Sequence, residues 1–432
     1  MSTAPRPRLP ALALLNLAFA LLAGPGFAAE RRPASDPAAA ESLYAAGEFT
    51  AAERAFQDLP MRSVADTLIG LRRAALHLWR DDPAGSRREL DAVDRIRPGL
   101  RSSRALRAES WMREDSCVKA APLYRANGHE AKAAQCESFA GSPPYQIEGG
   151  ETSVRFAQTD PLPVISIEVG DRGPRWFLID TGGGDMVLDP ALADSLGLPK
   201  FGEETGTFAG GKQRAVALSR LDRIRLGGVV VRNLPVGLLD VSRLGAVAGG
   251  RSLSGIVGTR LLSRFRSTFD YPGGRLLLAP RHGGAAAHAD TSRIETADLP
   301  MWLGGDHLIL ARGRLGEGHE ALWFVDTGLA GSAVTAPASS LTDAGIALPD
   351  TSHAMTGQGG GGAVRAQMFA VPSFHMGVAE GKGLLGVFGA FPPSLERGQG
   401  YRIAGIISHA FFRPWRVTFD FDAMRLHLER DR

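Results

Sequence analysis

The chain has 432 residues, 44% of them apolar and 22% charged, with a formal net charge of +3. This is the profile of a soluble globular protein with room for two or three domains, each with its own core. No basic run with interleaved aromatics occurs, so a nucleic-acid partner is not expected.

Residues 1–29 read as a secretory signal. Arg6 and Arg8 precede the apolar run Ala11–Gly24, and Pro25 then leads into the small-residue cleavage sequence Gly26-Phe27-Ala28-Ala29. The run is shorter than the roughly 20 residues that span a bilayer. The expectation is export across the inner membrane to the periplasm, with no transmembrane segment after cleavage. In an oxidising compartment Cys117 and Cys136, 19 residues apart and without metal-ligand spacing nearby, are expected to pair as a disulfide between neighbouring helices.

Residues 34–141 are rich in Ala, Arg, Leu and Glu and repeat with a period of 34. Tyr44, Leu78 and Met112 share one register; Phe56, Leu90 and Tyr124 share another, and the small residues Ala52, Ser86 and Ala120 a third. Apolar residues recur at three- and four-residue steps, as amphipathic helices require. The period resembles tetratricopeptide repeats, each a helix-turn-helix that buries its face on the next. The copies are degenerate: Gly47 is replaced by Asp81 and Asp115, and Phe49 by Pro83 and Cys117. A plain helical bundle is the alternative. Either arrangement offers a surface for recruiting a substrate or protein partner.

Gly141-Ser142-Pro143-Pro144 ends the helical pattern. Beyond it come short runs of Val, Ile, Leu and Phe between glycine-rich turns, the pattern of an all-β region with hairpins. This half contains itself twice, over residues 145–282 and 293–432. Trp176–Gly182 (WFLIDTG) is echoed by Trp323–Gly328 (WFVDTG), and Ser254–Pro280 by Ala404–Arg430. Asp180 to Ile256 is 76 residues and Asp326 to Ile406 is 80; Asp180 to Asp270 is 90 and Asp326 to Asp420 is 94. Between each pair lies a glycine-rich patch, Phe208-Ala209-Gly210-Gly211 in one copy and Gly357–Gly362 in the other. An Asp-Thr-Gly tripeptide alone is an ordinary turn. Two of them, each ending an apolar strand and followed by matched segments, are hard to assign to chance.

On these residues the stretch from Pro144 to Arg432 resembles the retropepsin-like aspartic proteases, in a single-chain, two-lobed bacterial form. The fold implied is multidomain: an all-α tetratricopeptide-like repeat, then an all-β two-lobed aspartic protease fold of pseudo-symmetric duplicated lobes. The resemblance implies that Asp180 and Asp326 form a catalytic dyad. Thr181 and Thr327 would brace the opposite loop, and Gly182 and Gly328 would let backbone approach the carboxylates. Phe208, Gly210, Gly211, Gly359 and Gly360 would form substrate-covering flaps. The activity implied is endopeptidase cleavage of a peptide or protein substrate, without metal or other cofactor.

The chain departs from the family pattern in three places. Gly183-Gly184 and Leu329-Ala330 stand where many members carry a small residue and Ser, and Ser408 replaces the glycine that Gly258 supplies in the first copy. Ser408 is expected to crowd the second loop. These departures keep a second reading open, a weak or inactive pseudoprotease acting as a peptide-binding adaptor in the cell envelope. Asp185 is expected to be solvated, Asp270 and Asp420 to close strand turns, and His409 to be structural. No HExxH or G-x-S-x-G pattern is present, and Gly357–Gly362 lacks the βαβ context of a nucleotide site.

Overall fold

The computed structural model describes residues 36–281 and 294–431. The signal sequence expected over residues 1–29 lies outside the described residues.

Seven helices come first: α1 Pro37–Ala45, α2 Phe49–Gln57, α3 Thr67–Trp79, α4 Pro83–Ile96, α5 Arg101–Arg113, α6 Cys117–Ala126 and α7 Glu130–Glu137. The 34-residue period has a backbone cause. Gly47, Asp81 and Asp115 each turn α1 into α2, α3 into α4 and α5 into α6, and all three hold a left-handed conformation, with φ of 79°, 57° and 55°. Glycine adopts this freely and Asp is among the few side chains that tolerate it. Phe49, Pro83 and Cys117 then open the second helix of each pair. The shared registers are mostly the buried ones: Tyr44, Leu78, Met112, Phe56, Leu90, Ala52, Ser86 and Ala120 are all at most 2% exposed, while Tyr124 is only partly buried. Cys117 and Cys136 are disulfide-bonded, tying α6 to α7.

The first set of strands comprises β1 Gln146–Glu148, β2 Thr152–Gln158, β3 Val164–Val169, β4 Arg172–Ile179, β5 Met186–Leu188, β6 Lys200–Phe208, β7 Lys212–Leu226, β8 Val229–Leu238, β9 Leu253–Val257, β10 Phe265–Asp270 and β11 Arg275–Pro280. The second comprises β12 Ile294–Gly304, β13 Leu308–Leu315, β14 Ala321–Asp326, β15 Val334–Thr335, β16 Met355–Gly359, β17 Gly362–Met376, β18 Ala379–Phe388, β19 Gly405–Ser408, β20 Arg416–Asp420 and β21 Arg425–Asp431. In the first set β4 runs antiparallel to β3 and parallel to β9, pairing Ile179 with Val257. In the second β14 runs antiparallel to β13 and parallel to β19, pairing Val325 with Ile407.

The two sets meet in one sheet, through β10 against β20 in register Thr268↔Thr418, whose hydroxyls lie 2.8 Å apart. Their inward faces share one core. Phe177, Ile179 and Phe265 of the first set pack with Trp323, Phe374 and Phe419 of the second, all at most 1% exposed.

The helical region packs directly on this β body. Tyr44, Phe49 and Trp79 form an aromatic cluster with Trp302 and Tyr401, with Phe49 5.0 Å from Tyr401 and Trp79 4.8 Å from it by ring centroid. Farther along, Gln135 of α7 donates its side-chain amide to Ser219 O and Val236 O in β7 and β8. The apolar face of α1–α3 is therefore covered by the second set of strands.

Phe49→Ala removes a buried ring at this junction and is expected to cost about 3–5 kcal/mol. A thermal unfolding midpoint indistinguishable from that of the unsubstituted chain would contradict the packing of helices on strands described here.

Candidate active site

Strand β4 is buried over its last three residues, Phe177–Ile179, and β14 from Leu322 to Asp326, and they lead into Asp180-Thr181-Gly182 and Asp326-Thr327-Gly328. The sheet positions these turns, since each strand end is held by a parallel neighbour: Asp180 N donates to Val257 O, and Asp326 lies in register with Ser408. Asp180 and Asp326 lie across from one another, close enough that each perturbs the ionisation of the other. Each also accepts from the amide two residues on, Gly182 N to Asp180 Oδ1 and Gly328 N to Asp326 Oδ1, both at 2.7 Å. A Cβ on Gly182 would lie 2.5 Å from the Asp326 carboxyl carbon, and one on Gly328 2.2 Å from that of Asp180. Only glycine leaves room for the pair at these two positions.

The threonines interlock beneath the acids. Thr181 N donates to Thr327 Oγ1 (3.1 Å) and Thr327 N to Thr181 Oγ1 (3.0 Å). Each hydroxyl then donates across the junction, Thr181 to Val325 O at 2.8 Å and Thr327 to Ile179 O at 3.2 Å. Both threonines are buried, so these four bonds form away from competing water.

Two adjacent buried carboxyls cannot both ionise cheaply. Burial raises the proton affinity of Asp180, but hydrogen bonds from Asp326 and the Gly182 amide and the nearby charge of His307 oppose it, leaving the pKa above its ordinary value. For Asp326 burial and then the charge of Asp180 act together, and its pKa is raised well above the ordinary value. The pair therefore shares one proton and titrates as a unit.

Asp185, three residues beyond Gly182, differs from its expected solvated state. Its carboxylate is ion-paired with Lys132 Nζ of α7 at 2.7 Å and with Arg260 Nε at 3.5 Å. Burial works against the charge, but Lys132 and Arg260 outweigh it and hold the pKa below the usual carboxylate range. Arg260, in the short helix Thr259–Leu262, also pairs with Glu109 of α5 at 2.6 Å, and Glu109 with Arg113 at 2.8 Å. Thr259 donates its hydroxyl to Thr181 O at 2.9 Å. These residues are absent from the sequence-based site. Their signal is faint: the second copy has His409 and Ala410 where the first has Thr259 and Arg260.

Ser408 does not crowd the second loop. Its hydroxyl donates to Leu329 O at 2.8 Å, so it fastens that loop to the strand beneath it. The first loop lies closer to its own support. A Cβ on Gly258 would meet Gly184 O at 2.3 Å and Asp185 O at 2.7 Å, so a side chain is excluded there.

The glycine-rich patches sit at hairpin tips, β6–β7 and β16–β17, and the tips touch. A Cβ on Gly360 would be 2.9 Å from the Phe208 ring, and one on Gly359 3.2 Å from Ala209 Cβ. Gly210 and Gly211 have φ of 68° and 73°, and Gly210 N donates to Ala390 O at 2.8 Å. Midway along β6, His129, the residue before α7, contacts Glu204 at 3.1 Å.

Elsewhere, Asp270 accepts from Gly273 N and Arg275, and Asp420 from Asp422 N and Ala423 N, closing their turns. His409 is buried without a protein hydrogen-bond partner, and its pKa is pushed down to about 4 by burial and then by Arg413. Among the described residues no group of three or more His, Cys, Asp or Glu is placed to hold a metal ion.

Comparison with known proteins bears on the first loop. Residues 165–261 match the family model described as aspartyl protease. The match begins in β3 and ends in the Thr259–Leu262 helix, so it includes Asp180 and Arg260 but not Asp326. Among solved structures, the retropepsin-like aspartic protease from Rickettsia conorii is similar, at 21% identity over 31% of this chain and 93% of that one, with a TM-score of 0.23. No curated protein matches the chain.

Exchange at the two supporting positions should destabilise to different extents. Gly258→Ser forces a side chain against backbone oxygens and is expected to cost about 1–3 kcal/mol or more. Ser408→Gly loses one buried hydrogen bond, about 1 kcal/mol. Comparable losses of denaturation midpoint in the two variants would contradict the difference in space beneath the loops.

Proposed function

We propose that the chain is an exported aspartic endopeptidase in which a water molecule between Asp180 and Asp326 attacks a peptide carbonyl. The observation that carries this reading is the pair of buried carboxyl groups that the Thr181–Thr327 bonds bring together, so close that a side chain on Gly182 or Gly328 would clash with the opposite acid. Asp180, ionised, accepts a proton from the attacking water, while Asp326 donates its proton to the carbonyl oxygen of the substrate. Proton transfer to the amide nitrogen of the resulting tetrahedral diol breaks the C–N bond. All steps use groups that the two loops already hold, and need no cofactor.

The touching hairpin tips suit a substrate that is an extended peptide covered from above. The tips separate to admit it, and their glycines permit that motion. The two halves act as pseudo-symmetric lobes in this reading, each supplying one acid and one flap. The aspartyl protease match over residues 165–261 supports the assignment for the first half.

Export rests on the signal-like residues 1–29, and the Cys117–Cys136 disulfide suits an oxidising periplasm. In the described residues no helix is long and apolar enough to cross a membrane. The helical region resembles tetratricopeptide repeats in its period, and a partner or substrate that it recruits would meet its outward face, since the face of α1–α3 against the strands is covered. The adaptor reading loses one of its supports, because Ser408 fastens the second loop instead of displacing it.

Purified mature protein is expected to cleave unfolded peptides at mildly acidic pH and to be blocked by a statine-type inhibitor. Asp180→Asn and Asp326→Asn should each reduce turnover by at least about a hundredfold. Undiminished cleavage in either variant would remove that acid from the mechanism. Asp326→Asn should also stabilise the fold at neutral pH. Below its unfolded pKa of about 3.9 the wild-type acid is protonated folded and unfolded, so the variant gains nothing. As pH rises past that value the unfolded acid ionises while the folded one retains its proton, and the wild type loses stability that Asn does not. A thermal midpoint difference that fails to grow between pH 4 and pH 7 would contradict the protonated state of Asp326.

A further inference from the structure

The two carboxyls occupy matching strand ends, yet their surroundings differ in charge. The registers Val164↔Leu178 and Leu310↔Phe324 align the two halves, so Pro161 is the first-half position that corresponds to His307. One residue on, Leu162 is buried in an apolar cluster against which Ala330 of the second loop packs. The second loop thus meets hydrocarbon. The first loop meets His307: a Cβ on Gly184 would lie 3.4 Å from its Nδ1 and 3.5 Å from its Cγ. Gly184 thus brings the first loop to the edge of the imidazole, with room for no more than contact between them.

His307 sits in the β12–β13 turn, and that turn is fixed from outside. Arg113 of α5 donates to Leu303 O at 2.9 Å and to Gly305 O at 3.0 Å. Within the turn Asp306 Oδ1 lies 2.6 Å from His307 Nδ1, and Asp306 Oδ2 lies 3.7 Å from Arg260. The ring also meets Phe324 in a T-shaped contact, centroids 6.3 Å apart.

Resting on the reading of Asp180 and Asp326 as a catalytic dyad, we propose that His307 is a positioning residue: its cationic ring, set against the glycine wall of the first loop, makes Asp180 the ionised member and leaves the shared proton on Asp326. The charged groups around it come from every neighbouring element. Asp306 is on its own turn, Asp180 and Asp185 on the first loop, Arg260 on the Thr259–Leu262 helix, Lys132 on α7 and Glu109 on α5. Burial disfavours the imidazolium and Arg260 repels it, but Asp306, followed by Asp180, outweighs them, so its pKa is raised. The sign follows: the ring is charged throughout the acidic range and loses its charge only as pH rises past its elevated pKa.

Two measurements test this. His307→Gln should move the acidic limb of the kcat/KM profile upward by about half to one pH unit, because Asp180 becomes harder to ionise, and His307→Lys should restore it. An unmoved limb in His307→Gln would overturn the proposal. Independently of any cleavage, the His307 ring titration followed by proton NMR should shift to lower pH in Asp180→Asn, and by less in Asp326→Asn. Equal or absent shifts would also overturn it. The NMR result decides the electrostatic contact even for a chain that cleaves nothing, which separates failure of this proposal from failure of the protease assignment.

Discussion

The reciprocal bonds between Thr181 and Thr327 are the constraint on which the rest of the site depends. Each hydroxyl accepts an amide proton from the opposite loop and passes its own to a strand carbonyl behind that loop. Removing one hydroxyl would take a partner from one buried amide and one carbonyl at once, and an unsatisfied buried polar group costs about 1–3 kcal/mol. The lattice sets how closely the loops approach, and Gly182 and Gly328 convert that approach into contact between carboxyls. Unequal proton affinity in the pair is a consequence of that closeness.

The helical region contributes to this site by direct contact. Lys132 of α7 holds Asp185 at the exit of the first loop, and Glu109 and Arg113 of α5 reach Arg260 and the β12–β13 turn. Charge at the first loop is thereby assembled from three helices and both sets of strands. Buried ion pairs of this kind add little net stability, since desolvation offsets most of the attraction, but they penalise any arrangement that separates them. Their effect here is to hold the geometry on one side of the pair. Among the described residues the second loop meets no such network and is held by Ser408 and apolar packing.

What the sequence made visible were features that a backbone needs wherever they occur. A left-handed turn restricts the residue to Gly or a close substitute, so Gly47, Asp81 and Asp115 mark the period. A carboxylate at the end of an apolar strand, twice, marks the paired loops. Hairpin tips that touch require glycine, so Gly210 and Gly360 stood out. The charge network was hidden for the opposite reason: Asp185, Lys132, Arg260 and His307 are ordinary surface residue types, separated by 53 residues or more in most of their contacts. Asp185 looks solvated until a helix from elsewhere in the chain supplies Lys132. Ser408 looked like a steric fault because its support was inferred from Gly258, whereas the loop above it sits farther away and offers Leu329 O as an acceptor.

The central claim is that the threonine lattice forces Asp180 and Asp326 to share a single proton. Carbon-13 NMR of labelled aspartate carboxyls across a pH titration reads this directly. The account predicts that one carboxyl ionises while its partner keeps a proton well above the ordinary carboxylate range, and that Thr181→Val with Thr327→Val brings the two transitions together. Two carboxyls that ionise independently near pH 4 in the unsubstituted protein would contradict it.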